Sequence, residues 1–200
     1  AAFVENNELV IVLDFCDCGD LASLLKDRTA ENAPLSERDI WSIFTQLCAA
    51  VAHMHEHRVM HRDIKPSNVF LSADGVARLG DLGLSRWFSS KTAHARSMVG
   101  TPYYMSPECI RGQPYEWSSD VWSLGCLLYE LVTLRNPFFK DGLNYYTLGK
   151  LITSGTVDPL PASASPELTQ LVGAMLQRDP TQRPSLSEVA AFAENARVNL

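Results

Sequence analysis

The sequence is short of basic charge and of long apolar runs. It has 17 Lys and Arg residues against 23 Asp and Glu residues, which gives a net charge of −6. Surfaces that bind nucleic acid or an anionic membrane carry the opposite excess, so we expect neither partner. The longest apolar stretch, VWSLGCLLYELVTL, is shorter than the ~20 residues of a membrane-spanning helix and contains Glu130.

Cysteine is also scarce. The chain has five cysteines, and no second cysteine or histidine pair at zinc spacing accompanies Cys16 and Cys18. An odd count in largely apolar settings predicts reduced, mostly buried thiols rather than a disulfide framework. The first residues, AAFVENNELVIVLDF, lack the basic start of a signal peptide and include acids. These features favour a cytoplasmic or nuclear protein.

The first half of the chain predicts one strand followed by two helices. LVIVLDF, residues 9–15, is β-rich and apolar, which is typical of a strand buried on both faces. Asp20 can cap a short helix through LASLLKD, and RTAENAPL is expected to be a loop. Ser36 and Asp39 then form a box-like start to a long helix that ends near His57.

The remainder predicts a mainly helical body. NVFLS and VARLGDL form a hairpin through ADG, and residues 83–107 lack periodicity, as in a long functional loop. SSDVWSLGCLLYELVTL is apolar nearly all round, which indicates a helix at the centre of a domain. Two further helices are expected to begin at Ser165 and Ser185. We therefore expect one domain, or a large piece of one, with a few short strands.

The polar residues of MHRDIKPSNVFL, with the Asp of LGDLG, suit phosphoryl transfer, which requires positioning and charge neutralisation. Asp63 can accept a proton from a substrate hydroxyl, and Lys65 can steady the γ-phosphate. Asn68 and Asp81 offer oxygen ligands for Mg²⁺. The alternative is a solvated turn in which Asp, Asn and Pro only bend the chain. The complete ordered set favours the chemical interpretation.

These motifs resemble those of protein kinases over essentially the whole chain. HRDIKPSN is similar to the catalytic loop, DLG to the metal-binding Asp-Phe-Gly motif, and SPE, residues 106–108, to Ala-Pro-Glu. DVWSLG and RDPTQRP also resemble kinase motifs. The resemblance implies an α+β protein-kinase-like fold with a mainly helical large lobe and a hinge strand. It assigns residues 1–15 to the last small-lobe strands and hinge, 16–200 to the large lobe, and about 81–108 to the activation segment.

Finer features resemble serine/threonine kinases of the NIMA-related (Nek) family. Lys65 in IKPSN and Thr101 in GTPYYMSPE are typical of serine/threonine kinases. RLGDLGLSRWFSS and SMVGTPYYMSPE look like the short branch that contains Nek six and Nek seven. Leu82 agrees with that branch, although it is also a volume-tolerant apolar replacement for Phe.

The resemblance also implies a nucleotide site. Leu13 would be the gatekeeper, the backbones of Asp14 and Cys16 would bind adenine, and Phe70 would form the floor beneath the base. Asp20 would lie near the ribose, although helix capping explains it equally well. For Leu13 and Phe70 the alternative is ordinary core packing.

Regulatory and structural roles are implied in the same way. Arg62 would grip a phosphate on the activation segment, with Ser97 as the candidate acceptor and Ser89, Ser90 and Thr92 as weaker ones. Thr101 would contact the catalytic Asp and Lys. His61 would hold the loop, whose backbone would bind Asp120, and Arg183 would pair with Glu108.

The sequence contains no Gly-rich loop and no small-lobe Lys in AAFVENNELVIV. We therefore expect an N-terminally truncated kinase that lacks most of its small lobe, and the fragment alone to transfer phosphate weakly or not at all. The alternatives are a pseudokinase-type binding module and a small-molecule phosphotransferase. Retention of Asp63, Lys65, Asn68 and Asp81 argues against the first, and the long segment containing GTPYYMSPE argues against the second.

The Nek resemblance implies ATP and Mg²⁺ as cofactors, protein substrates with Ser or Thr acceptors, and a separate upstream activating kinase. It also implies cell-cycle work at the mitotic spindle or centrosome.

Overall fold

A computed structural model describes residues 1–81 and 102–200, and these ranges are mainly helical with a few short strands. The strands are β1 (Ala2–Glu5), β2 (Glu8–Ile11), β3 (Val69–Leu71) and β4 (Ala77–Leu79). The helices are α1 (Leu21–Ala30), α2 (Glu37–Glu56), α3 (Pro107–Ile110), α4 (Trp117–Thr133), α5 (Tyr145–Ser154), α6 (Pro166–Met175) and α7 (Leu186–Val198). Short 3₁₀ turns occur at Pro66–Asn68 and Pro180–Gln182. Helix therefore dominates, as predicted.

The chain begins with an exposed hairpin in place of the buried strand predicted over residues 9–15. Strand β2 ends at Ile11 and pairs antiparallel with β1. The turn residues Asn6 and Asn7 both have positive φ, 50° and 65°, which matches a two-residue hairpin turn that favours asparagine. The prediction of burial on both faces was wrong, because no described element covers this two-stranded sheet and Leu9 and Ile11 are mostly exposed.

Helices α1 and α2 begin as the capping residues predict. Asp20 Oδ1 accepts a hydrogen bond from Ser23 N at 2.7 Å, and Ser36 Oγ accepts one from Asp39 N at 3.2 Å. Helix α2 ends at the predicted place, with His57 as its C-cap. Helix α1 continues to Ala30, so the first residues of the predicted loop RTAENAPL, up to Ala30, are helical and that part of the prediction was wrong.

The predicted second hairpin is present and is held by helix α2. Strands β3 and β4 pair antiparallel, with Val69 opposite Leu79. The Gln46 side chain donates to Gly75 O at 3.1 Å and accepts from Ala77 N at 3.0 Å. The Gln46 side chain on α2 thus binds backbone groups at the edge of the hairpin that no described neighbouring strand pairs with.

Helix α4 is the centre of the molecule, as its all-round apolar sequence predicted. Twelve of its residues are buried, and it packs against α2 and α6. Helices α3 and α5 were not predicted. The signal for α5 was a capping box, in which Asn144 Oδ1 accepts from Thr147 N at 2.9 Å and Thr147 Oγ1 accepts from Asn144 N at 3.0 Å.

The core lies between α2, α4, α6 and α7. Trp41, Phe44, Leu47, Leu127 and Val189 are among its fully buried side chains. The expectation of mostly buried thiols holds for Cys48 and Cys126 only, since Cys18 is exposed and Cys16 and Cys109 are half-buried; all five are free. None of the helices in the described ranges is both long and apolar enough to cross a membrane.

Candidate active site

Asp63, Lys65 and Asn68 form one polar cluster in the 61–68 loop between α2 and β3. Lys65 Nζ lies 2.7 Å from Asp63 Oδ2, and Asn68 Nδ2 donates to the same oxygen at 2.9 Å. Asn68 Nδ2 also donates to Asp63 O at 2.7 Å. The side chain of Asp63 is 47% exposed, so its carboxylate is held by two donors yet remains open to solvent.

The 3₁₀ turn that begins at Pro66 places Asn68 beside the end of β4. Gly80 N donates to Asn68 O at 2.8 Å, which brings the exposed Asp81 next to the cluster. Because the amide group of Asn68 is turned towards Asp63, its Oδ1 makes none of the hydrogen bonds described. Asn68 and Asp81 therefore both have carboxamide or carboxylate oxygens close to the Asp63 loop in the chain fold, since Asp81 directly follows the Gly80 amide that binds Asn68 O.

His61 is fully buried and ties the loop to the end of β4. Its Nε2 lies 3.0 Å from Gly80 O, and its Nδ1 lies 3.3 Å from the backbone N of Asp63. A carbonyl can only accept and an amide can only donate, so the proton sits on Nε2 and the ring is neutral. Burial lowers the pKa of His61 below its ordinary value, in agreement with this neutral tautomer.

Asp120, in the first turn of α4, anchors the backbone of the loop. Its two carboxylate oxygens accept from His61 N and Arg62 N, both at 3.1 Å. Two side chains that the sequence analysis missed complete its coordination: His55 Nε2 at 2.7 Å and Tyr115 Oη at 2.6 Å. Burial alone would raise the pKa of Asp120, but these hydrogen bonds hold it below its ordinary value. No sequence pattern singled out His55 or Tyr115, since each joins the site only through the fold.

Arg62 has a left-handed backbone, with φ of 69°, and its guanidinium lies 5.9 Å from the ring centroid of Tyr115. This conformation is uncommon outside glycine and is fixed here by the hydrogen bond from Arg62 N to Asp120. The predicted phosphate acceptor Ser97, the residues Thr101 and Leu82, and the weaker acceptors Ser89, Ser90 and Thr92 lie outside the described residues.

Glu108 and Arg183 form a buried ion pair between α3 and the second 3₁₀ turn. Arg183 Nη1 and Nη2 donate to the two Glu108 carboxylate oxygens, each at 2.8 Å, in a bidentate arrangement. Ser119 Oγ adds a hydrogen bond to Glu108 at 2.7 Å. Burial opposes ionisation, but Arg183 and Ser119 lower the pKa of Glu108 to about 2. The ion pair between Arg183 and Glu108 that the kinase resemblance implies is therefore present. Ser119 is a further partner of Glu108 that the sequence analysis did not identify.

The residues expected around adenine are brought together only in part. Phe70 forms an isolated bridge with Asp20, and Leu71 N donates to Gly19 O at 2.9 Å, so residues 18–20 lie beside β3. Asp20 uses its carboxylate to cap α1. Asp14 is exposed and Cys16 is half-buried, whereas Leu13 is 80% exposed and packs into none of the described core.

Gly80 is a further residue that the sequence analysis did not single out. A Cβ atom at this position would lie 2.6 Å from Phe70 Cε2. The glycine before Asp81 therefore allows the Phe70 ring to approach the backbone that leads to the polar cluster. The sequence signal was the glycine itself at the end of a strand.

Comparison with known proteins agrees with this geometry. Residues 1–192 match the model of the protein kinase domain. The chain is 41% identical over 189 residues to the serine/threonine-protein kinase Nek1 of Mus musculus, covering 94% of this chain and 15% of Nek1. It is 45% identical over 184 residues to Nek3 of Mus musculus, covering 92% of this chain and 35% of Nek3. It is 41% identical over 189 residues to Nek2 of Homo sapiens, covering 92% and 42%.

The chain thus spans less than half the length of each of these relatives. The predicted kinase-like fold and the resemblance to Nek kinases are confirmed, whereas the branch within Nek stays a prediction. This chain belongs to the protein kinase family.

Proposed function

We propose that this chain is the catalytic part of a serine/threonine protein kinase that transfers the γ-phosphoryl group of ATP to Ser or Thr hydroxyls of proteins. The observation that carries the proposal is the cluster of Asp63, Lys65 and Asn68, with Asp63 Oδ2 held at 2.7 and 2.9 Å by the other two. The relatives named above, which are serine/threonine-protein kinases, support it.

In this reaction the substrate oxygen forms a bond to the γ-phosphorus while the bond to the β-phosphate oxygen breaks and ADP leaves. The exposed Asp63 carboxylate orients the hydroxyl and takes its proton. Lys65, which shares that carboxylate, places a positive charge beside the transferring group. An open cavity of about 490 Å³, lined in part by Lys65, Ser67 and Glu130, borders this loop and provides room for a substrate side chain.

The donor set fits Mg²⁺. Asn68 Oδ1 is left available because the Nδ2 of the same amide group donates to Asp63. Asp81 is exposed and directly follows Gly80, whose amide donates to Asn68 O. Both are hard oxygen donors of the kind that Mg²⁺ prefers. When bound, the ion neutralises phosphate charge. Asn68 also holds the Asp63 carboxylate, so one side chain links the metal position to the proton acceptor.

The same proposal includes the nucleotide-binding roles expected of Leu13, Asp14, Cys16, Asp20 and Phe70. It also includes the boundary between the small-lobe strands with the hinge, residues 1–15, and the large lobe, residues 16–200, with the activation segment at about 81–108. We further propose that an upstream kinase phosphorylates Ser97 and that Arg62 then binds the phosphate. Thr101 contacts Asp63 and Lys65 in this proposal. The protein acts in the cell cycle at the spindle or centrosome. Identity to Nek kinases supports these finer points.

The test is phosphate transfer from γ-labelled ATP to a general Ser/Thr protein substrate by the full-length protein. We expect Asp63→Asn to lower kcat by at least ~100-fold, the range of a positioned acid or base. Asp74→Asn, at an exposed turn of the β3–β4 hairpin, is the matched control and should retain full activity. Equal rates for Asp63→Asn and the parent protein would refute the assignment. Binding of ATP without transfer by the parent would instead indicate a binding module.

A further inference from the structure

Two histidines outside the candidate active site have their rings in contact at the C-terminal end of helix α2. His53 and His57 are exposed and stand one helical turn apart. Their ring centroids are 4.3 Å apart and the rings are tilted by 51°. Side chains four residues apart on a helix share a face, and a histidine pair at this spacing is an established way to hold a metal ion.

A hydrogen bond fixes the tautomer of His57. Its Nδ1 lies 2.8 Å from the backbone carbonyl oxygen of His53. Because a carbonyl oxygen can only accept, Nδ1 carries the proton and Nε2 carries the free lone pair. Metal-ligating histidines almost always donate their second ring nitrogen in this way, which orients the ring and makes the ligating nitrogen more basic. His57 is therefore already arranged as a ligand.

The surroundings of the pair favour a cation. His53 lies in the last turn of α2 and His57 is its C-cap, so both are at the end where the backbone carbonyls present the negative end of the helix dipole. His53 is exposed, and its ring makes none of the hydrogen bonds seen in the described ranges. No cluster of three or more metal-ligating side chains occurs in those ranges, so the remaining positions around an ion fall to water.

We propose that His53 and His57 together bind one divalent cation of the Zn²⁺, Ni²⁺ or Cu²⁺ class. Imidazole nitrogens suit these borderline ions, whereas Mg²⁺ and Ca²⁺ prefer oxygen ligands. The bound ion bridges the two residues across the helical turn. This site is separate from the Asn68 and Asp81 oxygens, which are of the hard type.

Binding of the ion at His53 and His57 also affects the candidate active site, because the two are connected through helix α2. His55, between the two ligands in sequence, contacts Asp120 Oδ2 at 2.7 Å, and Asp120 holds the backbone of His61 and Arg62. An ion that closes the last turn of α2 therefore stabilises the segment on which His55 is mounted. Since the ion binds only the folded helix turn, it raises the thermal midpoint of the protein.

The experiment is a titration of the ¹⁵N-labelled chain with ZnCl₂ in excess Mg²⁺, which saturates the oxygen ligands. We expect one equivalent of Zn²⁺ to shift the ring nitrogen resonances of His53 and His57 and to leave those of the buried His61 unchanged. His53→Asn and His57→Asn should each weaken binding at least ~10-fold, as for other losses around a metal. Each should also reduce the rise in thermal midpoint at a given Zn²⁺ concentration.

The exchange of two neighbours, His57→Arg with Arg58→His, is the matched control. It keeps the composition and charge but moves the second ring off the shared face, so it should bind as weakly as His57→Asn. Binding by this variant at the parent affinity would overturn the proposal. So would a thiolate charge-transfer band with Co²⁺ that disappears in Cys16→Ser with Cys18→Ser, because the ion would then sit at those thiols.

Discussion

Asp120 is a buried carboxylate whose oxygens are shared by four donors. Asp120→Asn keeps the size of the side chain but replaces one acceptor oxygen by a donor. Each buried donor left without an acceptor costs ~1–3 kcal/mol. We therefore expect the variant to lose about 3 kcal/mol in the free energy of unfolding at pH 7, measured by urea denaturation. It should also lose activity, since Arg62 N and His61 N are released. An unchanged unfolding free energy would contradict the anchoring role.

The same carboxylate gives a pH dependence with a defined sign. The pKa of Asp120 in the folded state lies below its ordinary value, so its contribution is fully present above roughly pH 3.9. The contribution is lost as the pH falls through the folded pKa. Below about pH 3.9, the difference in unfolding free energy between the parent and Asp120→Asn should therefore shrink as the Asp120 carboxylate is protonated in the folded protein. A gap that widens on acidification would contradict this assignment.

Arg183 is the residue for which a conservative change should be costly. It donates to both oxygens of Glu108 and to Ser118 O, and it lies 5.0 Å from the ring centroid of Trp122. Lysine cannot reproduce this planar set of donors. We expect Arg183→Lys to destabilise the chain by about 3 kcal/mol, the scale of breaking a buried pair.

A double-mutant cycle with Glu108→Gln provides the control for this ion pair, because the two effects should be strongly non-additive. Because the pKa of Glu108 is lowered from 4.5 to about 2, the stability that this ion pair contributes is present above about pH 4.5 and is lost as the pH falls through about 2. Additive effects of the two substitutions would show that Arg183 acts independently of Glu108.

Residues that work through local sequence were predictable, and residues that work through the fold were not. Asp63, Lys65 and Asn68 lie within six positions, and their side chains contact one another. The partners of Asp120 come from α2, the 61–68 loop and residue 115, so no sequence window contains them. The Arg183–Glu108 contact spans 75 positions, and only the family resemblance implied it.

At the level of elements, capping residues predicted helix starts better than apolar content predicted burial. Asp20, Ser36, Ser165 and Ser185 all cap helices as expected. LVIVLDF was read as a buried strand because its composition is apolar, yet burial depends on neighbouring layers that a single run cannot specify. The ENNE turn between β1 and β2 carried a better signal, since paired asparagines favour positive φ.

The β3–β4 hairpin and Gly80 yield a prediction for nucleotide binding. In Gly80→Ala the new methyl group would overlap the Phe70 ring, which must move. If Phe70 lies beneath adenine, KM for ATP should rise several-fold with a smaller change in kcat. Phe70→Leu removes the ring that the methyl group introduced by Gly80→Ala would overlap. The double variant Gly80→Ala with Phe70→Leu should therefore have a lower KM for ATP than Gly80→Ala alone. Failure of Gly80→Ala to alter KM would remove Phe70 from the nucleotide site.

At the scale of the whole molecule, stability is distributed unevenly along the chain. Helix α4 is buried nearly all round and packs against α2 and α6, and α2 in turn packs against α7 and β4. The β1–β2 hairpin is linked by backbone hydrogen bonds but keeps Val4 and Leu9 mostly exposed. Local opening is least costly where few apolar contacts are broken.

Native-state hydrogen exchange should therefore separate these two parts by several orders of magnitude. We expect amides of α4 to exchange only on global unfolding, and amides of β1 and β2 to exchange through local opening at much lower free energy. Leu127→Ala, in the buried helix, should accelerate exchange throughout α2, α4 and α6 because a core cavity costs ~2–5 kcal/mol of global stability. It should leave the hairpin rates unchanged, since their opening does not involve the core. Equal acceleration of the hairpin amides would show instead that β1 and β2 unfold together with α4.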